Sequence, residues 1–232
     1  MKEFLKQIKW QFLIFYKNNL VFMIAGVTAF YLLVVYLLKG VGDVEKFTTL
    51  VIFNEPVMVG FIFMGVAIIL EKDQGVFSAL FVTPINLHNY LISKIFVLSS
   101  VSLICAFGVI LMAKGIAFNP IHFGVGAFFS CVMFSFVGLF VVSFTSDILH
   151  YILRSIPIVI LMCVPMLNYF ELTHLGFLKL FPLQGGLSLV VNSYNPDSNY
   201  LDIFFGYLLL AFWIPVLYWF VYRTFRAKLI YA

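Results

Sequence analysis

Three observations predict an all-α integral membrane protein: six long apolar segments, very little charge, and basic residues gathered on one side of those segments. Hydrophobic residues make up 63% of the 232-residue chain and charged residues 10%. An ordinary soluble domain carries about 25% charged residues. A mean hydropathy of +1.08 does not fit a water-exposed surface, so the natural solvent is lipid. One crossing takes roughly 20 apolar residues through about 30 Å of hydrocarbon. Segments 20–38, 51–70, 91–112, 121–143, 152–170 and 201–222 meet that length. They leave one transmembrane domain over 1–232 and no separate soluble domain.

The basic residues orient the chain. With the N-terminus inside, the cytoplasmic side holds Lys2, Lys6, Lys9, Lys17, Lys72, Lys94, Arg154, Arg223, Arg226 and Lys228. The outer side holds only Lys39, Lys46, Lys114 and Lys179. Both termini are then cytoplasmic. The net charge of +4 follows from this arrangement and suits anionic lipid headgroups, not nucleic acid. The start of the chain does not read as a cleavable signal, because its first apolar stretch is long enough to span and no small-x-small cleavage site follows. Cys105, Cys131 and Cys163 each lie in an apolar run without metal-ligand spacing and read as small buried hydrophobes.

Residues 1–19 read as an amphipathic interfacial helix. Phe4, Leu5, Ile8, Phe12, Phe15 and Tyr16 share one face, while Lys2, Lys6, Lys9 and Lys17 lie largely on the other; Trp10 and Leu13 intrude. Such a helix lies at the membrane surface. It serves as a plain anchor or also touches a cytoplasmic partner.

Between the second and third spans the chain reads Glu71-Lys72-Asp73-Gln74-Gly75-Val76-Phe77-Ser78-Ala79-Leu80-Phe81-Val82-Thr83-Pro84. Val76, Phe77, Leu80 and Phe81 fall on one face of a short helix, which Pro84 ends. Asn86 is placed to cap the next helix. A plain connection needs less structure than this, so the loop is a candidate docking surface. The second cytoplasmic loop, 145–153, carries Asp147 and His150, with Arg154 just beyond. The outer stretch 171–200 is too broken to span and too apolar to sit in water. Leu175 to Val190 is interrupted by Pro182 and by Gly185-Gly186, which reads as a re-entrant or interfacial hairpin.

The chemistry is mostly absence. The sequence has no phosphate-binding loop, no H-E-x-x-H and no G-x-S-x-G, so the chain is not an ATPase of the common kind or a recognisable hydrolase. Glu55, beside Pro56 one turn into the second span, and Glu171, at the outer end of the fifth, are the acidic residues nearest the lipid phase. Both are expected near the outer interface. There they either finish helix ends or form an outer gate, together with Phe181 and Pro182.

Glu71-Lys72-x-x-Gly75-x-x-x-x-Leu80-x-x-Thr83-Pro84, followed by Tyr90-Leu91-x-Ser93-Lys94, resembles the signature of type-2 ABC transporter permeases, the six-span membrane subunits of bacterial ABC exporters. The layout agrees over nearly the whole chain: an amphipathic helix, six spans, and a broken apolar hairpin with Phe181-Pro182 before the last. The resemblance implies a permease subunit in the bacterial cytoplasmic (inner) membrane. It would pair with a second permease copy or a sister permease, and with a separate ABC ATPase subunit. The loop would be the coupling helix. Glu71, Gly75, Leu80, Thr83 and Pro84 match its pattern, and Val76, Phe77 and Phe81 would face or brace the ATPase. ATP and Mg would sit on that partner, with no cofactor on this chain and no catalysis by it. Spans lined by Phe, Val, Leu and Met suggest a hydrophobic or amphipathic cargo such as a lipid, drug, antibiotic or peptide. A channel or a non-transporting membrane scaffold is the alternative.

Overall fold

Capping residues set several helix boundaries. The computed structural model describes residues 2–38, 44–76, 87–172, 175–195 and 199–230, all helical apart from turns and short connections. In chain order the helices are α1 (Lys2–Lys17), α2 (Leu20–Leu38) and α3 (Val44–Met58), then a π-helical turn (Val59–Phe63) leading into α4 (Met64–Asp73). After these come α5 (Leu87–Lys114), α6 (Pro120–Val142), α7 (Ile148–Cys163) and α8 (Met166–Tyr169). A 3-10 turn (Gly176–Leu180), α9 (Pro182–Asn192) and α10 (Tyr200–Phe225) complete the fold, with a last π turn (Arg226–Ile230). Asn119 accepts from the backbone N–H groups of Ile121 (3.0 Å) and His122 (3.4 Å), and Pro120 opens α6. Asp147 caps α7 and Asn199 caps α10 in the same manner.

Among the described residues, five helical stretches are long and apolar enough to cross a membrane by length and composition: Leu20–Leu37, Lys46–Asp73, Leu87–Lys114, Pro120–Val142 and Tyr200–Lys228. The expected fifth crossing, 152–170, is instead the 16-residue apolar α7, a break at Val164-Pro165, and the four-residue α8. Proline at position 165 cannot continue the α7 hydrogen-bond ladder. Three of the other crossings, Lys46–Asp73, Leu87–Lys114 and Tyr200–Lys228, run past their expected limits.

The core is α6 against the continuous α3–π–α4 segment, with α5 beside both. α2 packs mainly on α5, and α10 on α6 and α9. Phe22, Phe30, Leu33, Phe204, Phe212 and Trp219 remain exposed on α2 and α10, as expected where lipid tails are the solvent and helices associate by close packing.

The π turn lies just after Pro56 and is locked from α7. Tyr151 is fully buried and its hydroxyl donates to the Phe61 carbonyl at 2.6 Å. Its ring stacks on Phe61 and occupies the space over Gly65, where an added Cβ would lie 2.0 Å from the ring. Such irregular turns persist in membrane helices because a neighbouring side chain satisfies the displaced backbone group.

One sequence expectation changes here. Gly185 and Gly186 do not break the outer apolar stretch. α9 runs through both, since their lack of a side chain lets it press on α6 and α10: a Cβ on Gly186 would meet the Ser130 hydroxyl at 1.9 Å. Contact of this closeness outweighs the intrinsic cost of glycine, about 1 kcal/mol each. α1 packs inward by only one edge. Gln11 and Phe15 are buried, whereas Leu5, Phe12 and Tyr16 are exposed beside Trp10 and Leu13. The polar-flanked Phe15 edge meets α5, and the more apolar edge is left outward.

Replacing Gly65 by Val should destabilise the chain by about 1–3 kcal/mol through overpacking against Tyr151. Thermal unfolding, followed by alkylation of the buried Cys131 thiol, should show an earlier transition. Adding Tyr151→Ala should recover part of the loss.

Candidate functional site

The two roots of the loop between α4 and α5 are held together by buried charge. Glu71, in the last turn of α4, and Lys94, two turns into α5, are 1% and 0% exposed and form an ion pair. Tyr90, one turn before Lys94, donates its hydroxyl to the same Glu71 Oε2. Lys94 Nζ donates to the Tyr90 hydroxyl at 2.9 Å. The i, i+4 spacing of Tyr90 and Lys94 puts both on the face of α5 turned to α4. The ammonium also lies over the Tyr90 ring at 5.0 Å from its centroid and near the Phe15 ring of α1 at 5.9 Å. An unpaired buried charge would be far too costly to keep, so the three groups depend on one another.

Further contacts tie this clasp to its surroundings. Gln74 Nε2 donates to Asn18 Oδ1 at the end of α1 (3.3 Å). Lys72 Nζ reaches the Thr145 carbonyl of the second short loop (3.5 Å). Gly75 ends α4 at φ +67°, a left-handed conformation that glycine adopts without a Cβ penalty. In the second loop Asp147 accepts from the His150 backbone N–H (2.9 Å) and meets the His150 ring at 2.7 Å. The His150 backbone N–H, and then its ring, hold the Asp147 carboxyl below its ordinary range.

Of the expected docking residues, Glu71, Gly75 and Val76 stand at the root of the loop. Phe77, Leu80, Phe81, Thr83 and Pro84 lie outside the described residues, as does Asn86. Tyr90 and Lys94 were part of the signature but not singled out as site residues; their i, i+4 spacing beyond a lone Glu71 was the available signal.

The four residues expected at an outer gate do not form one cluster. Glu171 is exposed, at φ +60°, and pairs with Lys46 at 3.1 Å. Pro182 opens α9 and is buried against Met133, Phe134 and Val137 of α6. Phe181, half-buried, is its cap. Glu55 is 0% exposed and accepts from Ser102 Oγ at 3.0 Å. Ser102 stands near the midpoint of the 28-residue α5, roughly 20 Å from either end, so Glu55 is deeper than its sequence position suggested. Thr49 on α3 instead ties the start of α3 to α8 and to the end of α9, bonding to the Tyr169 hydroxyl (2.8 Å) and the Tyr194 hydroxyl (2.5 Å). Among the described residues no three His, Cys, Asp or Glu side chains could share a metal ion.

The sequence profile of the fluoroquinolones export permease protein family matches residues 4–231. Two curated proteins described as fluoroquinolones export permease proteins, from two strains of Mycobacterium tuberculosis, are each 27% identical over 149 residues. That stretch is 64% of this chain and spans 63% of the length of each relative. No solved structure matches.

Removing one member of the clasp should cost about 3–5 kcal/mol, most of it from stranding the other charge. Lys94→Met should therefore unfold well before the unmodified chain in detergent. The double variant Lys94→Met with Glu71→Leu, which buries no lone charge, should be more stable than Lys94→Met. A double variant no better than the single would mean that the pair is not coupled.

Proposed function

Because the chain belongs to the fluoroquinolones export permease protein family, an ABC-type exporter permease family, we propose that it is the membrane subunit of an ATP-driven exporter whose ATPase is a separate chain. The observation that carries this reading is the buried Glu71–Tyr90–Lys94 clasp. It makes α4 and α5 move as a unit at the root of the loop that carries the docking face. A force on that loop would reach two crossings at once, and through Phe15 and Gln74 it would also reach α1. A loop that merely joined two spans would not require a fully buried ion pair at its base.

In this reading the chain crosses the bacterial inner membrane six times. α7 and α8 together form the fifth crossing, which roughly 1.5 Å per residue makes long enough, and α9 is the buried limb of a re-entrant hairpin. Both termini are cytoplasmic, on the side where the basic residues gather. α1 lies along the membrane with Leu5, Phe12 and Tyr16 towards lipid. The chain does no chemistry of its own; its partner binds ATP and Mg. A second permease, identical or a sister, completes the pathway. The relatives' names and the apolar spans support a fluoroquinolone-like, amphipathic aromatic cargo.

Gentle purification of the tagged chain should bring down a phosphate-loop ATPase at about one copy per permease. Phe77→Asp with Leu80→Asp, which turns the docking face acidic, should abolish that association while the chain remains inserted. Retained association would place the docking surface elsewhere. In vesicles carrying the assembled complex, an amphipathic aromatic antibiotic should be moved faster than a strongly charged hydrophilic solute; the reverse order would overturn the cargo assignment.

A further inference from the structure

Glu55 is not needed for the clasp, lines none of the larger cavities among the described residues, and is wholly buried. One carboxyl oxygen accepts from Ser102 Oγ at 3.0 Å, and the other, Oε1, is buried without a hydrogen-bond partner. The groups that face it are neutral on every side. Tyr31 of α2, whose hydroxyl accepts from Asn54 Nδ2 at 2.9 Å, faces it from one helix. Ser102 and Cys105 do so from α5, and Cys131, set among Ser99, Ser102 and Ser135, from α6. No basic side chain faces it among the described residues.

A lone carboxylate in such a place would retain one hydroxyl donor in exchange for its whole hydration shell, a loss that buried charges avoid by becoming neutral. A metal cation would require several oxygen ligands and space to seat them. Glu55 has one hydroxyl at bonding distance and lines none of the larger cavities among the described residues. A proton needs neither. We propose that Glu55 is a proton-binding site inside the membrane, occupied while α3 and α5 are packed together and emptied when they part.

Parting would admit water to Oε1, which would give up its proton to that water and keep the resulting charge hydrated. Closing would take the proton back. The device sits one turn before the π turn at Val59–Phe63, the least regular part of the second crossing, where a helix most readily changes its hydrogen-bond register. Linkage fixes the direction: the packed form holds one proton more, so low pH favours it and high pH favours the parted form. The connection to motion rests on the permease reading, whereas the proton itself does not.

The test uses the full-length chain in lipid nanodiscs. Infrared spectroscopy at neutral pH should show the carbonyl band of a protonated carboxylic acid. The band should vanish in Glu55→Gln, which keeps the neutral shape, and persist in Glu55→Asp and in Glu171→Gln. Amide deuterium uptake over residues 51–58, corrected for the intrinsic pH dependence of exchange, should report opening that rises by up to about tenfold per pH unit. In Glu55→Gln it should be independent of pH. A chain without an acid band assignable to Glu55 would overturn the proton site. An acid band with pH-independent opening in the unmodified chain would overturn its link to motion. Failure of transport, with both signals present, would count against the permease reading alone.

Discussion

The structure is governed by the cost of leaving a charge unpaired where water is absent. Hydrocarbon offers no hydrogen bonds, so a charge buried there needs its partner inside the protein. Glu71 and Lys94 meet this requirement with each other and with Tyr90, at the foot of a loop joining two crossings. That solution fixes how α4 and α5 meet. It also brings the end of α1 against them and places the root of the loop beside the capped start of α7. The lower half of the molecule is arranged around one ion pair.

The opposite half is held differently. Its ion pair, Lys46–Glu171, is exposed; the buried contacts are hydroxyl bonds from Thr49 to Tyr169 and Tyr194, and glycine contacts bring α9 tightly between α6 and α10. Individually these bonds are modest, about 1 kcal/mol net each. They yield more readily than a buried ion pair. A membrane protein with one rigid end and one softer end can hinge about the rigid one, and the π turn in the second crossing lies between the two. Tyr151 steadies that turn from α7 in the packed form.

How much of this was legible in the sequence depended on the range of the interaction. The crossings α2, α5, α6 and α10 follow from composition alone, because a run of about 20 apolar residues has few other fates. The caps Asn119 and Asp147 act within three residues of the helices they start. Long-range matters were hidden. Nothing local says that Glu71 and Lys94, on different helices, share a site, although Tyr90 and Lys94 stand one helical turn apart. Glu55 seemed to lie near an interface because its depth was counted along its own span; its partner Ser102 shows where it sits. Gly185-Gly186 looked like a break because propensity disfavours glycine in helices, while the space those glycines vacate is set by Ser130 and Gly206. Which edge of α1 packs inward depends on what α5 presents to it, which no periodicity within α1 encodes.

In the proposed exporter the clasp carries force from the loop to the crossings. The most direct measurement is the number of cargo molecules moved per ATP hydrolysed, in vesicles containing the complex with its ATPase, for the unmodified chain and for Tyr90→Phe. That substitution removes one hydroxyl and leaves the ion pair and the docking loop in place. ATP hydrolysis should continue while cargo moved per ATP falls several-fold. An unchanged ratio in a correctly assembled complex would contradict it.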